Sequence, residues 1–386
     1  MESFDLKSIA PYDEQQVQEA IKRLLDYPQF LNNLADCLYK GNRFSTARLS
    51  SFLKKRLPEA LSQVRSYDDF QKQIVCRYFL PSIEQNSIDR FSFSGLDGLD
   101  PDEHYTFISN HRDIVLDCAL LDYALFFGGF SNLCEMCLGN NLMVNQFSKD
   151  MFKLNGGITV MRNLPTHEML EASRILSEYM RYALQQKGKN IWIAQKSGRS
   201  KDGIDDTSTA VLKMIYLDYR KNQIPFNEAV RQMHIVPIAI SYQYDPCDIT
   251  KGREVIKKLR NEGVYSKSRY EDVLNLLRGL RKWKGNVHIT AGKVLDGDYA
   301  APSDAAREID RQIHLNYRLW DTNYFCYDWV NNSEDFVSEY DDFKERAFFH
   351  RYKGIDKDVV NFILQSYANP VASMVHEKNL AQGEGK

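Results

Sequence analysis

Two short runs, "NIWIA" (190–194) and "IVPIAIS" (235–241), are apolar on both of their alternating sets of positions. A strand with one wet face alternates apolar and polar, so runs of this kind suit strands covered on two sides. Further short runs, "YTFIS" (105–109), "GITVM" (157–161) and "VHITAG" (287–292), punctuate the same stretch of chain. Between "GITVM" and "NIWIA", Met169, Ala172, Leu176, Met180 and Ala183 trace one helical face, and Gly188 stands at its end. That unit reads strand, helix, strand. The expected fold is α/β: a mixed, mostly parallel central sheet flanked by helices.

The pattern changes on either side. From Tyr12 to about Gln85 apolar residues recur at three and four, the helical period, and from about residue 303 the chain is again helical and aromatic-rich, as in "HLNYRLWDTNYFCYDWV". The expected organisation is a helical region over 1–100, an α/β domain over 101–300 and a helical C-terminal region over 301–386 packed on the core. "STARLSSFLKKRLPEAL" (45–61) gathers Leu49, Phe52, Leu53 and Leu57 on a basic helix. It suits either an anionic membrane surface or, more simply, a solvated face over a packed one.

Composition removes several function classes. A formal charge of -2 over 386 residues supplies no field for nucleic acid, so anion binding must come from local clusters. The start lacks a signal peptide's basic and apolar regions, and the longest apolar run, "CALLDYALFFGGF" (118–130), is too short for a bilayer. A cytoplasmic protein in peripheral contact with a membrane is the expectation. Seven cysteines without an export signal point to free thiols, and Cys134 and Cys137, a CxxC inside an apolar run, read as buried thiols rather than half a zinc site. No metal is expected.

The chemistry concentrates in "ISNHRDIVLD" (108–117, counting from Ile108). Its His-Arg-Asp triplet resembles a kinase catalytic loop, but Cys118 stands where that loop needs Asn, and no DFG occurs anywhere. No histidine is followed by Asp, which removes a His-Asp metal phosphohydrolase. What remains is His111 at a strand exit with Asp117 six positions on. Positions six apart on one helix face different ways, so the two side chains meet only if His111 precedes the helix carrying Asp117. A histidine so placed, its tautomer fixed by a carboxylate, is what a general base needs. Asn110 and Asp113 are candidate supports. Downstream, "KLNGGITVMRN" ends near Arg162, and "IAQKSGRSKDG" (193–203) presents Gly198, Arg199, Ser200 and Lys201 after a strand. Glycine lets backbone approach an anion, and arginine grips phosphate through paired hydrogen bonds. "VPIAISY" (236–242) reads as a structural strand whose Pro237 suits an edge or a bulge.

This ordered set resembles the glycerolipid acyltransferase superfamily, the glycerol-3-phosphate and 1-acylglycerol-3-phosphate O-acyltransferases, over roughly residues 104–245. Within it the second and third blocks look closest to the glycerol-3-phosphate branch. The matched positions are His111 and Asp117, Arg162, then Gly198, Arg199 and Ser200, and Pro237. Two departures stand out: five residues rather than four separate His111 from Asp117, and the third-block Glu is replaced by Lys196 or Ser197. Either the loop absorbs the extra residue or Asp113 takes over the orienting role.

The resemblance implies transfer of a fatty acyl group from a thioester, acyl-CoA or acyl carrier protein, to a hydroxyl of a glycerol-3-phosphate or lysophosphatidate-type acceptor, with no cofactor beyond the co-substrate. His111 and Asp117 would be catalytic, and Arg162, Arg199 and Lys201, with Gly198 and Ser200, would hold the acceptor phosphate. The missing Glu keeps two alternatives in play: a non-phosphate acceptor, or a lipid-binding homologue without turnover.

Overall fold

The computed structural model describes residues 5–27, 55–266 and 271–383. Seven strands form one sheet: β1 (Arg90–Ser94), β2 (Thr106–Ser109), β3 (Cys134–Gly139), β4 (Gly157–Val160), β5 (Asn190–Ala194), β6 (Ile235–Tyr242) and β7 (Asn286–Ala291). Their spatial order is β1-β7-β6-β2-β5-β3-β4. Every neighbouring pair is parallel except β6 with β7. The expected mixed, mostly parallel sheet is present, with helical segments before and after it.

The runs that are apolar on both sets became central strands because both of their faces are covered. One face, including Phe107, Trp192, Val236 and Ile238, packs under the helix Leu116–Phe127 and the N-terminal helices. The other, including Ile108, Ile191, Ile193 and Ile235, packs under the helices Thr166–Gln185, Thr209–Ile215 and Pro302–Asn316. A third cluster, built on Phe325, Phe348, Tyr352, Ile363 and Leu364, joins the helices Asp321–Asn331, Asp342–His350 and Lys357–Gly383.

Two strands escaped the sequence pattern. β1 lies ahead of the boundary expected at 101, and β3 occupies the run read only as a site of buried thiols. Within β3, Cys134 and Cys137 fall in the cores on opposite faces of the sheet, so the pair cannot grip one ion. Among the described residues no cluster of His, Cys, Asp or Glu is suited to a metal. Pro237 departs from expectation by lying inside β6, between β2 and β7. Its carbonyl accepts from Gly292 N at 2.8 Å, and its missing N–H falls where the β7 ladder ends at Ala291.

Residues 45–54 of the basic N-terminal segment lie outside the described residues; beyond them Leu57 and Leu61 are buried in the core. Among the described residues no helix is long and apolar enough to cross a membrane.

Candidate active site

The site is built at the carboxyl end of β2, the middle strand of the sheet, where open α/β sheets ordinarily bind ligands. β2 ends at Ser109, and Asn110 then continues its pairing to β6 with a side chain. Asn110 Oδ1 accepts from Ile240 N (2.7 Å), and Asn110 Nδ2 donates to Ile240 O (3.0 Å) and to Asp205 Oδ2 (3.2 Å). The amide imitates a peptide group, so the chain leaves the ladder at a fixed angle, and the next residue is His111.

Period two separates the side chains here. Ser109 and His111 share the face of Trp192, whose indole N–H donates to Ser109 Oγ (2.9 Å) and whose ring meets the His111 ring edge-on at 5.7 Å. Arg112 turns the other way. It pairs with Asp205 at 2.6 Å and stacks over the Tyr317 ring, a buried structural contact rather than a catalytic one.

Asp117, not Asp113, reaches the imidazole. His111 Nδ1 lies 2.8 Å from Asp117 Oδ2, and the same oxygen accepts from Arg112 N (2.6 Å) and Asp113 N (2.9 Å). Asp117 Oδ1 accepts from the Tyr242 hydroxyl at 2.8 Å. The extra residue of the first block is taken up by bends at 113–115, ahead of a helix that opens at Leu116. Asp113 caps that helix, its Oδ1 accepting from Val115 N (3.1 Å) and Leu116 N (3.0 Å). Its other oxygen is buried without a hydrogen-bond partner, and a side chain at Gly279 would collide with it. Burial, then the charge of Asp117, push the Asp113 carboxyl above the usual range, against the pull of the Leu116 amide and Arg199.

The third block closes over the first. Gly198 supplies a positive φ of 80°, open enough that a β-carbon would touch nothing, and two residues on Ser200 N donates to His111 O at 2.7 Å. Arg199 turns toward Cys247, Asp113 and Asp245; burial opposes its charge, but these neighbours hold its pKa above the ordinary value. Its Nη1 is buried without a hydrogen-bond partner. Lys201 is paired with Glu254 at 2.5 Å. Lys196, one of the two positions standing for the missing Glu, donates to Ile204 O at 2.6 Å and so ties its own loop. From beyond β6, Lys251 donates to Arg112 O (2.8 Å) and pairs with Asp245 (2.5 Å).

Arg162 follows the edge strand β4. Its backbone N donates to Asn140 Oδ1 (3.2 Å), and its side chain crosses the end of β3 so closely that a β-carbon at Gly139 would stand 2.7 Å from Nε. Glycine at 139 is what lets the guanidinium lie there. No carboxylate among the described residues pairs with it. The two arginines are therefore directed to different neighbours, Arg162 over β3 and Arg199 toward the segment after β6. β5 and β2 intervene between β3 and β6.

Three contributors to this geometry were not singled out from sequence: Tyr242, Trp192 and Gly139. Tyr242 carried a signal, because period two from Val236 through Ile238 and Ile240 sets it on the face of Trp192. Gly139 carried none until Arg162 was seen across it.

No known protein family and no curated protein matches the sequence. Among solved structures, the chain is similar to the crystal structure of the 1-acyl-sn-glycerophosphate (LPA) acyltransferase PlsC from Thermotoga maritima, at 12% identity and a TM-score of 0.35, over 78% of this chain and 92% of that one.

Proposed function

We propose that the protein is an O-acyltransferase that moves a fatty acyl group from a thioester to a hydroxyl of a glycerol-3-phosphate or lysophosphatidate-type acceptor. The observation that carries the reading is the His111–Asp117 pair. Asp117 takes Nδ1, which fixes the tautomer with Nε2 unprotonated, and Nε2 has no protein partner among the described residues. The ring is mostly enclosed, its side chain 14% exposed, and stands at the mouth of a strand end.

In this reading Nε2 removes the acceptor's hydroxyl proton as the oxygen attacks the thioester carbonyl. A carbon–oxygen bond forms, the tetrahedral intermediate collapses, the carbon–sulfur bond breaks, and the imidazolium returns its proton to the departing thiolate. Asp117 stabilises the imidazolium between these steps. Arg162, laid across Gly139 with no carboxylate partner among the described residues, is the contact for the acceptor's phosphate in this reading. Binding there makes the attack effectively intramolecular. Acyl-CoA or acyl carrier protein serves as donor, the acceptor is presented at a membrane surface in the cytoplasm, and no cofactor is involved.

A second reading, a non-phosphate acceptor, is favoured by one observation: Lys201 is held by Glu254, and Arg199 faces Asp113 and Asp245. One experiment separates the readings. Purified protein receives radiolabelled acyl-CoA or acyl carrier protein with glycerol 3-phosphate, lysophosphatidate, and amine or phenol acceptors, beside His111→Ala. Transfer to a phosphate acceptor that vanishes in the variant supports the first reading, and transfer confined to uncharged acceptors supports the second. Undiminished transfer in the variant removes His111 as the base.

A further inference from the structure

We propose that Tyr242 is a positioning residue for the His111–Asp117 pair, its hydroxyl setting how strongly the carboxylate draws on the imidazole. The proposal rests on the reading of His111 as a base. It gives the fourth block, structural by sequence, a part in the chemistry.

The two oxygens of Asp117 are served unequally. Oδ2 accepts from His111 Nδ1 and from two backbone amides, those of Arg112 and Asp113, which the turn of the loop supplies whatever the side chains. Oδ1 has one donor among the described residues, the Tyr242 hydroxyl at 2.8 Å. Tyr242 ends β6, is 3% exposed, and is anchored through the β6 ladder opposite Val287. Burial, then Asp117 and Asp113, push its phenol well above the ordinary range, so it remains a donor at any pH the site experiences.

A hydrogen bond to one oxygen of a carboxylate spreads its charge and weakens its hold on a cation at the other. Removing the hydroxyl therefore makes the imidazolium more favourable and the neutral base scarcer at a given pH. The other charged groups around the pair are Asp113 and Arg112 on the same loop, Asp245 from the segment after β6, and Arg199 from the turn after β5, which faces Asp113. None of these side chains donates to Oδ1, so among the described residues Tyr242 is the one side chain through which the carboxylate can be tuned without changing the charge of the site.

The test uses the full chain in two variants, Tyr242→Phe and replacement of Tyr242 by 3-fluorotyrosine, a stronger donor of nearly the same shape. The pH at which the His111 ring resonances move is read by nitrogen-15 histidine NMR without substrate, with His111→Gln providing the assignment. The acidic limb of kcat/KM is read in the acyl-transfer assay. Phe should move both midpoints upward by about half to one pH unit, and fluorotyrosine should move them downward, with acceptor KM within about twofold of the parent. Midpoints that stay put in both variants, or move the same way in both, would overturn the proposal, because a packing role has no such opposite signs. The fluorinated protein keeps ring and hydroxyl and decides the matter even if the Phe variant folds poorly. Absence of acyl transfer in the parent would count against the proposed function and leave the NMR comparison to judge Tyr242.

Discussion

His111 and Arg162 both stand just past a strand, yet their surroundings differ completely. His111 is held from every side: Asn110 fixes the exit from β2, Asp117 takes the ring, and Ser200 takes the backbone carbonyl. Arg162 follows an edge strand, has one backbone contact to Asn140, and rests over a glycine with no carboxylate partner among the described residues. A base must be aimed before the reaction begins, because misplacement by an ångström costs catalysis. A charge that meets a substrate anion does better unpaired, since an internal partner would have to be displaced first. The contrast is the one the proposed function requires, with one group performing chemistry and another receiving a ligand.

The largest test of that contrast is His111→Ala. It should lower kcat/KM for acyl transfer about 10³-fold, while far-ultraviolet circular dichroism and the melting temperature stay close to those of the parent. Asn110→Leu attacks the aim rather than the base. With Ile240 N and O left buried without their partner, urea unfolding should show a loss of about 2–4 kcal/mol, and activity should fall with it. Arg162→Ala should leave folding untouched and raise acceptor KM about 10- to 100-fold with kcat nearly constant, the signature of lost ground-state binding. Gly139→Ala should raise the same KM only several-fold, because the new methyl displaces Arg162 without removing it. A kcat effect in either of the last two variants, with KM unchanged, would erase the distinction between the regions.

The helix that carries Asp117 also provides a control away from the mouth. Asp122 is fully enclosed, its carboxyl pushed up to about 7 chiefly by burial, with the Cys134 amide working in the other direction. In the unfolded chain it loses its proton near the ordinary value of 3.8 and in the folded protein near about 7. Between those values the folded state holds more protons, so this group's contribution to stability falls as pH rises from about 4 to about 7 and is level outside that window. Asp122→Asn should remove that slope, gaining about 2–4 °C in melting temperature on the parent between pH 5 and 7 while leaving acyl transfer unchanged.

Much of this arrangement was legible in the chain, and the omissions have physical causes. The strands apolar on both sets were readable because double coverage demands apolar residues on both sides. β3 was not, since Glu135 lies near its start. That carboxylate is tolerated only because Tyr67 (2.5 Å), Tyr179 (2.8 Å) and Lys187 (2.6 Å) converge on it from distant parts of the sequence. β1 is a short edge strand in which Arg90, Ser92 and Ser94 alternate with Phe91 and Phe93, next to a long helical pattern that masked it. In the site, spacing supplied the condition for His111 and Asp117 to meet, that His111 precede the helix carrying Asp117. The choice between Asp117 and Asp113 did not, because it depends on which carboxylate the bends at 113–115 leave free to cap the helix. The different orientations of Arg162 and Arg199 were likewise invisible, since strand order decides them and sequence order does not reveal it.

The single hydrogen bond from Ser200 N to His111 O has a kinetic consequence. It fastens the turn bearing Arg199 to the segment bearing the base, so neither can swing away without releasing the other. In the proposed reaction, admission of a bulky acyl donor would then proceed either past both at rest or through one concerted opening, and hydrogen exchange at the Ser200 amide would report the frequency of that opening directly.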